Sequence, residues 1–187
     1  MRIIAGKFRG RSLAAPSGEG TRPTADRTRQ AVFNVLEHAA WSPGLADARV
    51  IDLFAGSGAL GFEALSRGAA FSLFVETDET ARGAIRDNID ALGVFGVSRV
   101  HRRDATSLGV RPGSAGEAFT LAFVDPPYGK GLGERALSGL LSGDWLAPEA
   151  LVVFERGVDE PPPALDGFEL LDERAYGAAR VWIYRRG

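Results

Sequence analysis

The 187-residue chain is 45% hydrophobic and 25% charged with a formal net charge of −2, a profile that fits one globular domain able to bury a core without staples. It contains no cysteine, which excludes disulfides, zinc–thiolate sites, iron–sulfur clusters and thiol nucleophiles. No apolar run could span a bilayer, and the first residues lack a signal peptide's apolar stretch, so the expectation is a soluble, cytoplasmic protein.

In chain order, residues 2–13 read as a short β-hairpin: Ile3 and Ile4, a turn rich in glycine and cations over 6–10, then Ser12 and Leu13. Residues 16–20 are a loop. Arg2, Lys7, Arg9, Arg11, Arg22, Arg27 and Arg29, against Glu19 and Asp26, give residues 1–30 a net charge of +5 and leave −7 on the remainder. A basic arm on an acidic body suits a local anionic partner, although scattered cations are also what a solvated surface carries. The division expected is a basic β-hairpin arm over 1–22 and a main domain over 23–187. Thr24 is placed to cap a helix after Pro23, with Asp26 in its first turn and Val32, Val35, Leu36 and Ala39 on one face. Pro43-Gly44 ends this unit.

Strand and helix then alternate. Residues 50–54 are an apolar run ending in glycines, 59–67 are helical and stop at Gly68, and 71–75 are a second strand. Asp78 caps a helix with Ile85, Ile89 and Leu92 inward and Gly93 after its end. Residues 97–101 are a weaker third strand; 119–124 are apolar throughout and so central. Residues 132–141 are helical, 151–154 a fifth strand, 161–163 a stiff linker, and 168–171 and 181–184 a closing pair with a turn near Tyr176-Gly177. This order predicts an α/β fold with a mostly parallel sheet and helices on both faces, with ligands bound beyond the carboxyl ends of the strands.

Four groups at those ends carry chemistry. Gly56, Gly58 and Gly61, in the motif that begins at Asp52, have G-x-G-x-x-G spacing at a strand-to-helix turn, where backbone N–H groups can approach a ligand. Glu76, twenty residues past Gly56, directly follows the second strand, where a carboxylate accepts from ribose hydroxyls. Those two features suit a nicotinamide or flavin dinucleotide as well as S-adenosylmethionine. Asp104 follows the third strand, where it could accept from an adenine amino group or simply cap the next turn. Asp125-Pro126-Pro127-Tyr128 ends the central strand. The prolines stiffen the chain and remove donors, so the Asp125 carboxylate and the Pro126 carbonyl form adjacent acceptors suited to the two hydrogens of an –NH2 group. Tyr128 offers a face on which a base stacks, worth about 1–3 kcal/mol. His38 and His101 are too isolated to suggest a metal, and none is expected.

The glycine motif, Glu76 and Asp125-Pro126-Pro127-Tyr128 together resemble the amino-group methyltransferases. The N-terminal segments, Met1 to Arg11 and Thr21 to Arg29 followed by Phe33-Asn34-Val35-Leu36, and the tail Tyr176 to Arg180 are similar to the bacterial family that methylates guanine N2 in 16S ribosomal RNA. The resemblance covers nearly the whole chain. It implies a Rossmann-like class I methyltransferase fold, with a seven-stranded sheet and an N-terminal β-hairpin extension. It further implies S-adenosylmethionine as cofactor, held by Asp52, Phe54, Gly56, Gly58, Glu76, Asp104 and Ala105, and catalysis by Asp125, Pro126, Pro127 and Tyr128. It places Lys7, Arg9, Arg11, Arg22, Arg27 and Arg29 on RNA. The expected partner is 16S ribosomal RNA in an assembling or assembled small subunit, with the protein a monomer that does not use a membrane. A DNA adenine-N6 or cytosine-N4 methyltransferase shares the catalytic loop but needs a target-recognition region for which the chain leaves little room. A nicotinamide-dependent oxidoreductase leaves Asp125-Pro126-Pro127-Tyr128 unexplained, and an RNA-binding assembly factor without activity leaves the pocket idle.

Overall fold

The computed structural model describes residues 1–17 and 23–187. After helix α1 (Pro23–His38) come β1 (Arg49–Leu53), α2 (Ala59–Ser66), β2 (Phe71–Val75), α3 (Glu79–Leu92), β3 (Ser98–His101), β4 (Phe119–Val124), α4 (Leu132–Ser142), β5 (Leu146–Gly157), β6 (Phe168–Tyr176) and β7 (Ala179–Arg186). The strands form one seven-stranded mixed sheet in the order β3-β2-β1-β4-β5-β7-β6. The first five strands are parallel to one another; β7 returns antiparallel to β5 and pairs antiparallel with β6. As its apolar run implies, β4 is the middle strand of the seven.

Side chains alternate across this sheet and so build two cores. Val50, Phe74, Leu121, Phe123, Leu151, Val153 and Ile183 face Phe33 and Leu36 of α1, Phe62 of α2 and Ile85 and Ile89 of α3. Ile51, Leu53, Val75, Ala122, Val152, Phe154 and Trp182 face Ala136, Leu137 and Leu140 of α4. Helices therefore cover both faces. α3 starts and stops as its sequence signals predict: the Asp78 side chain accepts from the Ala81 N–H, and Gly93 ends the helix in the left-handed region. α1 begins at Pro23, so Thr24 lies within its first turn rather than ahead of it. The tail strands are longer than their apolar segments because β6 is an edge strand, with Glu169, Glu173 and Arg174 exposed along it.

The N-terminal arm is not a β-hairpin. A single antiparallel bridge, Arg2 to Ser12, closes it. Beside it the Ile3 N–H reaches the Arg11 carbonyl at 3.0 Å and the Leu13 N–H the Met1 carbonyl at 2.8 Å, but pairing extends no further into the arm: the N–H groups of Ile4 and Ala5 donate to the Glu63 carboxylate at 2.9 and 3.1 Å. The Lys7 N–H reaches the Ser66 carbonyl at 2.9 Å, and the Phe8 N–H reaches the Ser66 hydroxyl at 3.0 Å. From Ile4 to Phe8 the arm is thus pinned to α2, with the N–H groups of Ile4, Ala5, Lys7 and Phe8 satisfied by the helix rather than by a partner strand. Among the described residues no helix is long and apolar enough to cross a membrane.

Candidate active site

Strand order reverses beside β1, whose neighbours are β2 on one side and β4 on the other. Such a switch point leaves a crevice beyond the carboxyl ends of the strands. Register levels those ends: Leu53 pairs with Val75 and with Val124, Val75 with His101, and Val124 with Phe154. The residues that follow each strand therefore share one edge: the glycine turn after β1, Glu76 after β2, Asp104 after β3, Asp125 after β4 and Glu155 just beyond Phe154.

The glycine turn needs a backbone that side chains resist. Gly56 and Gly58 sit at φ 58° and 80°, and Phe54 takes φ 56° at the end of the strand. A Cβ on Gly56 would meet nothing within 4 Å, so the turn opens on free space, whereas one on Gly61 would lie 2.4 Å from the Phe74 ring. The third glycine therefore serves helix-to-strand packing and the first serves the crevice. Asp52 is buried and accepts from the Gly61 N–H at 3.1 Å. Burial pushes its carboxyl up to about 8; the Gly61 hydrogen bond opposes this and the Glu76 charge adds to it. Glu76 braces the turn: one oxygen accepts from the Gly56 N–H at 2.7 Å and the other from the Asp78 N–H at 3.0 Å. Each oxygen keeps a further lone pair for a ligand hydroxyl.

Asp104 is exposed and accepts from the Thr106 hydroxyl at 2.7 Å and the Thr106 N–H at 2.8 Å, which hold its carboxyl below the usual range. The cap-like reading of this aspartate and the ligand reading are compatible, since the second oxygen takes part in neither bond. Ala105 beside it is buried.

Past β4, Asp125 is exposed, Pro126 is buried, and Pro127 and Tyr128 are exposed, Tyr128 by 51%. The Tyr128 hydroxyl donates to Glu155 at 3.2 Å. Burial raises the Tyr128 phenol well above its ordinary value, with Glu155 and Asp125 adding to it, and burial raises the Glu155 carboxyl. Glu160 ties the loop to β5: its oxygens accept from the Gly129 N–H at 2.9 Å and the Gly157 N–H at 2.8 Å. Arg156, paired with Glu134 at 2.7 Å and Glu160 at 3.6 Å, closes a small cleft under Pro126, Pro127 and Tyr128. Glu155 was findable as the acid that ends the fifth apolar run. Glu160 carries no local signal, because the loop that it joins to the end of β5 is 31 residues away in sequence.

The cations of the arm do not form one set. Lys7, Arg9 and Arg27 are exposed, and the Lys7 ammonium lies 5.0 Å from the Phe8 ring. Arg11 turns back and donates to the Ala91 carbonyl near the end of α3 at 2.5 Å. Arg29 is buried: it donates to the Arg2 carbonyl at 2.7 Å and pairs with Asp26 at 3.3 Å and Glu63 at 3.7 Å. Arg22 lies outside the described residues. No cluster of potential metal ligands occurs among the described residues.

Comparison with known proteins gives the same outline. The family model described as "Conserved hypothetical protein 95" matches residues 1–185. Ribosomal RNA small subunit methyltransferase D of Escherichia coli (strain K12) is 38% identical over 187 residues, spanning all of this chain and 90% of its own. The protein of the same name from Haemophilus influenzae is 36% identical over 186 residues, spanning 99% and 93%. The solved structure of yhhF from E. coli superposes with a TM-score of 0.85 at 38% identity, covering 100% of this chain and 97% of its own. Magnesium protoporphyrin IX methyltransferase (ChlM) from Synechocystis, solved with bound SAM, shares the fold at a TM-score of 0.65 and 15% identity, covering 91% and 87%.

Proposed function

The chain belongs to the family described as Conserved hypothetical protein 95, and from that premise we propose that it transfers a methyl group from S-adenosylmethionine to the N2 amino group of a guanine in 16S ribosomal RNA. One observation carries the reading beyond family membership. The glycine turn and Asp125-Pro126-Pro127-Tyr128 leave adjacent parallel strands, β1 and β4, at the switch point of the sheet. A cofactor on the first loop and an amino group on the second would meet in one crevice.

The residues present fit the cofactor. Open space in front of Gly56, a carboxylate with spare lone pairs at Glu76 and an exposed acceptor at Asp104 follow one another along the edge. Asp52, Phe54, Gly56 and Gly58 would shape the site of its methionine part, Glu76 would accept from the ribose, and Asp104 with Ala105 would bound the adenine. When bound, S-adenosylmethionine supplies an electrophilic methyl on its sulfonium. The chain's work is then alignment and charge stabilisation. Asp125 and the Pro126 carbonyl would accept the two N2 hydrogens, turning the nitrogen lone pair toward the donor and stabilising the positive charge that grows on nitrogen. Tyr128, held through its hydroxyl by Glu155, would present a face to the guanine, whose withdrawal from its stack costs a few kcal/mol. No strong base is needed, since the proton leaves from an already cationic nitrogen.

Lys7, Arg9 and Arg27 are the arm's candidates for phosphate contacts; exposed Arg11 is tied to the Ala91 carbonyl, and buried Arg29 supports the arm from within. Neutralising Lys7, Arg9 and Arg27 together is expected to weaken RNA binding and to reduce the slope of log affinity against log salt by about 2–3. An unchanged slope in filter binding would remove these residues from the interface. The substrate is read as a small-subunit particle and the protein as a cytoplasmic monomer, because a compact domain with one short arm is too small to read a long RNA sequence alone. Labelled methyl transfer tests the whole reading: small subunits or 16S RNA should accept label and DNA should not. Label on DNA would favour the amino-methylase alternative. Binding of NADH in place of S-adenosylmethionine, seen by calorimetry, would favour the oxidoreductase.

A further inference from the structure

One buried polar side chain joins the arm to the glycine turn, and neither the motifs nor the catalytic loop account for it. Asn88 lies on the inward face of α3 between Ile85 and Ile89 and is 2% exposed. Its amide oxygen accepts from the Ala14 N–H at 2.6 Å. Its amide nitrogen donates to the Ala14 carbonyl at 3.0 Å and to the Ser57 carbonyl at 3.2 Å. The reverse orientation of the amide would set N–H against N–H and oxygen against two carbonyls, so the assignment follows from the partners.

Ala14 belongs to the returning limb of the arm. Ser57 is the residue between Gly56 and Gly58, whose positive φ angles define the turn. The other end of the arm reaches the same residue: the Ser57 hydroxyl donates to the Met1 sulfur at 3.6 Å, and the Leu13 N–H donates to the Met1 carbonyl at 2.8 Å. Both limbs of the arm therefore rest on the turn, and the firmer link is Asn88. A ligand that engages the turn's N–H groups polarises its peptides, and hydrogen bonds in such a chain strengthen one another. Any shift or stiffening of the Ser57 peptide is handed to Ala14 through one planar amide.

We propose that Asn88 is a positioning residue that couples cofactor binding at the glycine turn to RNA binding by the N-terminal arm, an inference that rests on the methyltransferase reading above. Coupling between two binding sites is reciprocal, so measuring it in one direction suffices. Unmethylated small ribosomal subunits are titrated with the full-length protein, with and without saturating S-adenosylhomocysteine, which cannot react. Wild-type protein should bind subunits about fivefold or more tightly with the cofactor product present. In Asn88→Ala that ratio should fall to within about twofold of one, which a purely structural role would not produce in a folded protein. Asn88→Ser, whose hydroxyl cannot span both partners, serves if the alanine variant does not fold. Wild-type protein that binds neither S-adenosylhomocysteine nor subunits overturns the methyltransferase reading and this inference with it. Wild-type protein that binds both, with a ratio near one, leaves that reading standing and overturns the coupling. A folded Asn88 variant that keeps the wild-type ratio overturns the role of Asn88.

Discussion

Asp125→Ala should lower methyl transfer by about 10²–10³-fold while S-adenosylhomocysteine binds with nearly wild-type affinity. The asymmetry follows from position. Asp125 is the first residue beyond β4, next to the glycine turn that follows β1 but not part of it. In the proposed mechanism its carboxylate is one of two acceptors offered to the target amino group, the other being the Pro126 carbonyl, which no side-chain substitution removes. Losing one acceptor frees the amino group to rotate and strips charge stabilisation from the nitrogen as it turns cationic. Asp125→Asn should be impaired less, since its amide oxygen can still accept one hydrogen but carries no charge to stabilise the nitrogen as it turns cationic. The measurement is single-turnover labelling alongside calorimetry with S-adenosylhomocysteine. Turnover within threefold of wild type in Asp125→Ala would refute the role assigned to the carboxylate. A parallel loss of cofactor affinity would instead mean that Asp125 belongs to the cofactor site.

The elements around this site were legible because each rests on local chemistry. The apolar runs at β1, β2 and β4 are buried on both faces, Asp78 caps α3 from one residue before it, and the proline pair marks the end of the central strand. What escaped depends on partners far along the chain. Ile3-Ile4 and a glycine-rich turn look like a hairpin, but the N–H groups of Ile4 and Ala5 are taken by Glu63, 59 and 58 residues on. Arg29 looks like one more surface cation until that same carboxylate is placed beside it. Asn88 drew no reading from the sequence: it shares the buried face of α3 with Arg82 among apolar neighbours, and such a polar residue has a partner that the helical pattern alone does not name. Glu160 had no signal at all, being one acid in an acidic tail that happens to meet the Gly129 N–H.

Glu63→Ala should be the most destabilising single substitution outside the hydrophobic core, by about 3–5 kcal/mol, and should lower the melting temperature by roughly 6–20 °C. Glu63 is 0% exposed, and its two oxygens serve four partners: the Ile4 and Ala5 N–H groups, Arg67 at 2.9 Å and Arg29 at 3.7 Å. Burial lowers the Arg29 pKa, and the Glu63 charge is the main force opposing that shift. Removing the carboxylate leaves two backbone donors unpaired and two buried guanidinium groups short of a counter-charge, with Asp26 and Glu37 the acids left to pair with them among the described residues. Gly6→Ala separates the arm from this network. At φ 83° a Cβ on Gly6 would lie 1.9 Å from the Ser66 carbonyl oxygen, so the arm must lift from α2 while Glu63 keeps both arginines. Its melting temperature should therefore fall less than that of Glu63→Ala, yet its KM for the RNA substrate should rise, with cofactor affinity changing far less than RNA affinity. If Glu63→Ala melts within a degree of wild type, the buried network is not what holds the arm. If Gly6→Ala methylates small subunits with unchanged KM, the arm's seat on α2 is dispensable, and substrate binding belongs to the carboxyl edge of the sheet alone.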